Sequence, residues 1–82
     1  MEHVSRWFDA REVCIEDFNL HGLLLRKGGE VIVRVKSKHF IEFKGVFLCG
    51  NPFFGTIIIE TQENNVMIKI KDIVFVQKLH RK

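Results

Sequence analysis

Hydrophobic and polar positions alternate with a period of two along most of the chain, which is typical of strands with one buried face. In the first clear run, residues 31–36, valine occupies every odd position. Runs at residues 40–47 and 66–71 also alternate, the run at 56–61 is β-branched at nearly every position, and a fifth apolar run begins at residues 73–76. Five short strands joined by tight turns predict an antiparallel sheet that bends on itself into a small barrel, and Gly45 is the predicted bend.

The segment before these runs has a different period. Asp17 suits a helix N-cap, the leucines at positions 20, 23 and 24 share a helical face, and Gly28-Gly29 can end the element. We therefore predict a helix over residues 17–27. Gly22 inside it costs roughly 1 kcal/mol, so a strand running through Leu23 to Leu25 is the competing interpretation.

Composition indicates one globular domain. The chain has 82 residues, of which 46% are hydrophobic, and a net charge of +3. It is too apolar for a disordered chain and too interrupted by charge for a membrane span. We expect an N-terminal extension at residues 1–16 and a domain at 17–82 that ends in a short basic tail. Charged residues interrupt the first dozen positions, so no secretory leader and a cytoplasmic location are expected.

The sequence contains few candidates for metal-binding or catalytic residues. The four histidines do not fall at metal-ligand spacing with one another or with a cysteine. No nucleophile lies near a predicted base, so we expect no enzyme, no metal and no cofactor. Cys14 and Cys49 lie in apolar surroundings and are interpreted as reduced packing residues, although the sequence leaves a disulfide open. Trp7 and Phe8 are expected to pack on the barrel or on a neighbouring subunit.

The most informative stretch is the turn between the second and third strands. Asn51, Pro52 and Gly55 provide turn chemistry around two aromatic residues, Phe53 and Phe54. Two rings at one tight turn cannot both reach a small core, so at least one is predicted to be available for stacking. The alternative is that both rings pack in the core or in a subunit interface.

The strands and turns from residue 17 to residue 77 resemble the Sm and Lsm proteins, a family that includes the Hfq-like ring formers. The second family motif falls on residues 68–73, Ile-Lys-Ile-Lys-Asp-Ile. The first motif matches the following positions: Val31, Val33, Val35, Phe43, Gly45, Phe47, the run Asn51-Pro52-Phe53-Phe54-Gly55, and Ile58.

This resemblance implies a ring of about six to eight subunits that binds single-stranded, uridine-rich RNA. Phe53 takes the position of the ring that stacks on the base, and Lys69 takes that of the arginine on its other side. Asn51 stands at the family's acidic position, while Phe54 and Lys71 are further candidate RNA contacts. Gly55 replaces the base-reading asparagine, and Ile70 replaces a glycine, so weak base specificity is expected.

Two other functions fit the same strands. One is a ring-forming or scaffold protein that does not bind RNA, which the residues at positions 55 and 70 favour. The other is a monomeric SH3-like barrel that binds a protein partner. Lys69 and Lys71 would then be solvated charges that protect a sheet edge. The strand pattern is also similar to that of a barrel subunit of archaeal ribonuclease P, whose longer helical flanks have no counterpart in this sequence.

Overall fold

The computed structural model describes residues 13–36 and 38–79. These residues form seven strands and one 3₁₀ turn. The strands are β1 (Asp17–Leu20), β2 (Leu23–Arg26), β3 (Glu30–Lys36), β4 (Phe40–Asn51), β5 (Thr56–Glu60), β6 (Asn65–Lys69) and β7 (Ile73–Leu79), and the 3₁₀ turn is Ile70–Asp72.

Strands β3 to β7 form an antiparallel sheet in the order β6-β5-β4-β3-β7. Its centre is β4, which is long enough to pair with β3 through its first half and with β5 through its second half. Val46 belongs to both ladders, opposite Glu30 and Glu60. The predicted five-stranded antiparallel sheet is thus confirmed. No ladder joins β6 to β7 within the described ranges, so the predicted barrel closure is not observed.

The predicted helix over residues 17–27 is wrong, because this segment forms the β1–β2 hairpin. His21 and Gly22, at φ 52° and 86°, form its two-residue turn, and the N–H of Gly22 donates to Asn19 Oδ1 at 2.8 Å. Positive φ at both central residues matches the twist of a hairpin. Leu20 pairs with Leu23, and the competing strand interpretation is therefore correct.

The core lies between the hairpin and one face of the larger sheet. The predicted buried face of β3 is confirmed, because Val31, Val33 and Val35 are all buried. The largest fully buried side chains are Phe47, Leu25, Ile57, Ile59, Val31 and Val33. Burial of a Leu, Ile, Val or Phe side chain stabilises a fold by about 1.5–3 kcal/mol, so these residues hold the hairpin on the sheet.

The predicted bend at Gly45 does not coincide with the irregularity in the pairing of β4. The register shift lies between Phe47 and Cys49. Gly45 is instead a point of close approach, where a Cβ atom would collide with the carbonyl oxygen of Glu60. Gly50 has a similar role, because the ring of Phe18 lies directly over it. The two glycines let neighbouring elements pack tightly against β4.

Cys14 and Cys49 form a disulfide, so the interpretation of both as reduced packing residues is wrong. Their Cα atoms are 5.2 Å apart. Ile15 and Gly50 form a β-bridge beside them, in which each N–H donates to the other residue's carbonyl oxygen at 2.8 Å. Residues 14 and 15 are therefore attached to the end of β4.

Some expectations fall on residues that are not described. Trp7, Phe8 and the basic residues from His80 onward lie outside the described ranges. Within those ranges, no helix has the length and apolar character needed to span a membrane.

Candidate nucleic-acid interface

The turn between β4 and β5 is shaped by Asn51. Its side-chain Oδ1 accepts the N–H groups of Phe53 and Phe54 at 2.9 and 3.1 Å, and its carbonyl oxygen accepts the N–H of Gly55 at 2.9 Å. Asn51 itself is buried, with 8% of its surface exposed. An asparagine that bonds the backbone two residues ahead forms an Asx turn. The loop that carries both rings is therefore held by one buried side chain.

A second turn lies directly against the first. The N–H of Ile70, at the start of the 3₁₀ turn, donates to the carbonyl oxygen of Gly55 at 2.8 Å. Just before it, Lys69 pairs with Thr56 across β6 and β5. The stacking candidates and the candidate cations are far apart in the sequence. The fold brings their two turns together on one side of the sheet.

Both phenylalanine rings are accessible. Phe53 is 59% exposed and Phe54 is 52% exposed. Of the two sequence interpretations, burial in the core of the same chain is thereby excluded. Each ring presents apolar surface of the kind that stacks on a flat partner or packs in an interface.

The two lysines are also available. Lys69 and Lys71 are exposed, and neither ammonium group forms an ion pair with any described residue. In contrast, Arg34 and Lys27 are paired with Glu42 and Glu16 at 2.9 and 3.2 Å. Unpaired ammonium groups beside exposed rings form a surface suited to an anion that carries aromatic groups.

The backbone conformation at position 55 explains why this residue is glycine. It has φ 66°, and a Cβ atom there would meet nothing within 4 Å. Its conformation, rather than crowding, favours glycine. The position offers only main-chain groups, and its carbonyl oxygen already accepts the N–H of Ile70. The described turn therefore presents no side chain at position 55 to read the edge of a base.

The sequence did not indicate Thr56. This residue lies between Asn51 and Lys69 in one row across β4, β5 and β6, and only 7% of its surface is exposed. Its hydroxyl forms no hydrogen bond with the described residues. In the sequence it is simply the first of several β-branched residues, which is a strand signal and not a site signal.

Exposed apolar residues also gather where β4 and β7 begin. Phe40, Val74 and Phe75 are 70%, 52% and 41% exposed, and the guanidinium of Arg34 lies 5.1 Å from the centre of the Phe75 ring. Across the described part of the chain, no group of three or more His, Cys, Asp or Glu residues is placed to hold a metal ion.

Comparisons of the chain with protein-family models, with curated proteins and with solved structures find no match. A function for this surface therefore has to come from its own geometry and chemistry.

Proposed function

We propose that this chain is an Sm-like protein that assembles into a ring and binds single-stranded RNA with weak base preference. The observation that supports this most directly is the hydrogen bond from the N–H of Ile70 to the carbonyl oxygen of Gly55, at 2.8 Å. It holds the aromatic turn against the lysine turn, so a base and its phosphate have neighbouring contacts.

Stacking is the first part of the proposed interaction. Phe53 is the residue that stacks on a base, because it is exposed and its backbone is fixed by Asn51. A loop backbone that is already ordered loses little conformational freedom on binding. Base–aromatic stacking contributes about 1–3 kcal/mol per base and tolerates any sequence.

Phosphate contact is the second part. Lys69 and Lys71 provide two positive charges in each subunit, and their exposure lets them follow a flexible backbone. Lysine does not form the planar, bidentate contacts of arginine. Together with glycine at position 55, this gives a site that holds the strand but discriminates poorly between bases.

Assembly is the third part, and it concerns the sheet edges. β6 and β7 are the two edge strands of the described sheet. Met67 and Val74 lie on them and are 64% and 52% exposed. Unpaired edge strands with apolar side chains favour pairing with another chain. We infer that β6 of one subunit pairs with β7 of the next, which completes an Sm-like barrel arrangement and, repeated head to tail, closes a ring.

Titration of labelled oligo-U and oligo-A at two salt concentrations tests the RNA binding. We expect both to bind, with affinities within about tenfold of each other, because stacking tolerates any base. The logarithm of the affinity should fall with the logarithm of salt concentration by about 0.7 for each phosphate contact. The double variant Lys69→Ala/Lys71→Ala should show a smaller slope, while Lys44→Ala is the control at an exposed lysine in the first half of β4, outside the candidate site.

Absence of binding by the assembled protein would overturn this proposal. It would favour the second candidate, a ring or scaffold protein that does not bind RNA. The specific observation behind that candidate is that position 55 offers no base-reading side chain, while β6 and β7 each have a single strand neighbour among the described residues.

A further inference from the structure

Next to the two turns lies a small apolar cavity that neither the predicted stacking nor the phosphate contacts use. Its volume is about 200 Å³. Its lining is formed by the two cysteines of the disulfide, by Phe54, Ile58 and Met67, and by Val13, Asn51 and Thr56.

The sheet register explains this arrangement. Cys49, Ile58 and Met67 form one row across β4, β5 and β6. Because residues two apart along a strand share a face, the neighbouring row of Asn51, Thr56 and Lys69 lies on the same side. The first row is apolar, and the second row runs from a buried amide through a buried hydroxyl to an exposed ammonium group.

Thr56 is the unusual member of this group. It is more than nine-tenths buried and lines the cavity, yet its hydroxyl has no hydrogen-bond partner among the described residues. A buried polar group without a partner destabilises a fold, and most such groups in proteins are satisfied. A ligand in the cavity would provide the missing partner.

We propose that this cavity binds a nucleobase. Its lining includes the aromatic side chain of Phe54 and the polarizable thioether of Met67, both of which suit a flat aromatic ligand. Thr56 offers one hydroxyl that either donates to a ring nitrogen or carbonyl or accepts from an exocyclic amine. The volume is below the 300–1,000 Å³ of pockets for drug-sized ligands, so one ring system is the matching size.

The inference rests on the proposed RNA binding, because Lys69 pairs with Thr56 and would hold the phosphate of the nucleotide whose base enters the cavity. Phe53 then stacks on the neighbouring base. Each subunit would accordingly bind two consecutive nucleotides, one on the exposed ring and one in the cavity. A free nucleotide offers the same base and phosphate, so both sources are tested.

The decisive variant is Thr56→Val, which keeps the shape of the side chain and removes the hydroxyl. We expect it to weaken oligo-U binding about fivefold, the effect of one lost hydrogen bond, while the melting temperature stays equal or rises. If the threonine hydroxyl had a purely structural role, Thr56→Val would lower the melting temperature instead. Met67→Ala should also weaken binding, whereas Leu24→Ala, at an exposed aliphatic residue on the β1–β2 hairpin, should not.

Methyl and amide NMR spectra complete the test with uridine and adenosine monophosphate as free nucleotides. Chemical-shift changes at Met67 and Thr56 support the cavity site, whether oligo-U or a monophosphate causes them. The probe that causes them shows whether the cavity binds a base of an RNA strand, a free nucleotide or both. If oligo-U binds Thr56→Val and Met67→Ala as tightly as the unmodified protein, the cavity proposal is overturned and the RNA-binding proposal stands. If oligo-U does not bind, the RNA-binding proposal fails, and the monophosphate spectra test the cavity proposal alone. Chemical-shift changes that become smaller in Thr56→Val support the cavity proposal, whereas the absence of any change overturns it.

Discussion

At the scale of single residues, Asn51 fixes the candidate site. Its side-chain oxygen accepts two N–H groups and its carbonyl a third, all within the turn that carries the exposed rings. The residue stands at an acidic position of the family that the sequence resembles. An acceptor oxygen, which asparagine and aspartate share, is what the turn requires there.

Replacement of Asn51 by alanine should therefore destabilise the protein. Two partly buried N–H groups lose their acceptor, which costs about 1–3 kcal/mol. Urea unfolding followed by circular dichroism measures the change, with Asn65→Ala as the control at an exposed asparagine. Equal stability of the two variants would show that the turn does not depend on this side chain.

The exposure of the two phenylalanine rings could be predicted from the sequence in part. The sequence indicated that Phe53 and Phe54 could not both be buried at a tight turn, and both are exposed. It could not indicate the hydroxyl of Thr56, because burial of one threonine depends on the register of three strands. Local chemistry predicts turns well, whereas the partners of a side chain are set by tertiary contacts.

At the scale of elements, the β1–β2 hairpin is attached to the sheet by several kinds of contact. Its core leucines pack on the sheet, and the Cys14–Cys49 disulfide connects the residues just before it to β4. Gly28 and Gly29, just after it, exchange hydrogen bonds with Phe47 at 2.9 Å. The hairpin is thus held at both of its ends.

Reduction of the disulfide should lower the free energy of unfolding. The bond closes a loop with a sequence separation of 35 residues, for which the loss of unfolded-state entropy predicts about 3–4 kcal/mol. Denaturant unfolding with and without a thiol reductant measures the difference. The Cys14→Ser/Cys49→Ser variant is the control and should not respond to the reductant. If the reductant leaves the unmodified protein unchanged, the two cysteines are not bonded in solution.

The predicted helix and the interpretation of the cysteines as reduced were both wrong for physical reasons. Leucines at positions 20, 23 and 24 suit a helix face, but a two-residue turn also places Leu20 opposite Leu23. The His21-Gly22 turn was the missed signal, since asparagine and aspartate are the usual partners of glycine there. For the cysteines, separation along the chain says nothing about distance, and the Ile15–Gly50 bridge brings them together.

At the scale of the whole molecule, the main feature is an antiparallel sheet whose edge strands, among the described residues, are β6 and β7. The antiparallel sheet and the buried face of β3 followed from the period of two, because that pattern fixes which side chains point inward. The strand boundaries did not follow from it, since β4 and β7 extend beyond the predicted runs and β6 ends before its predicted run does. The hydrogen bond between the two turns did not follow from it. That contact depends on where β5 and β6 end relative to each other, which only the folded sheet defines.

The molecular mass in solution should be several times the 9.6 kDa of one chain. Val74→Lys places a charge on the edge strand β7 and should shift the protein toward monomer, because edge lysines oppose strand pairing. Leu24→Lys, on the hairpin, should leave the mass unchanged. Light scattering measures all three proteins. A monomeric mass for the unmodified chain would exclude both ring hypotheses and favour the monomeric SH3-like alternative.

The most direct test of the central claim compares two exposed phenylalanines. Phe53 lies in the candidate site, and Phe40 lies at the opposite end of β4. The measurement is the Kd for labelled oligo-U of the variants Phe53→Ala and Phe40→Ala at one salt concentration. Loss of stacking predicts that Phe53→Ala binds about 5- to 150-fold more weakly, while Phe40→Ala binds like the unmodified protein. Equal affinity of the two variants would contradict the claim that the turn after β4 binds RNA.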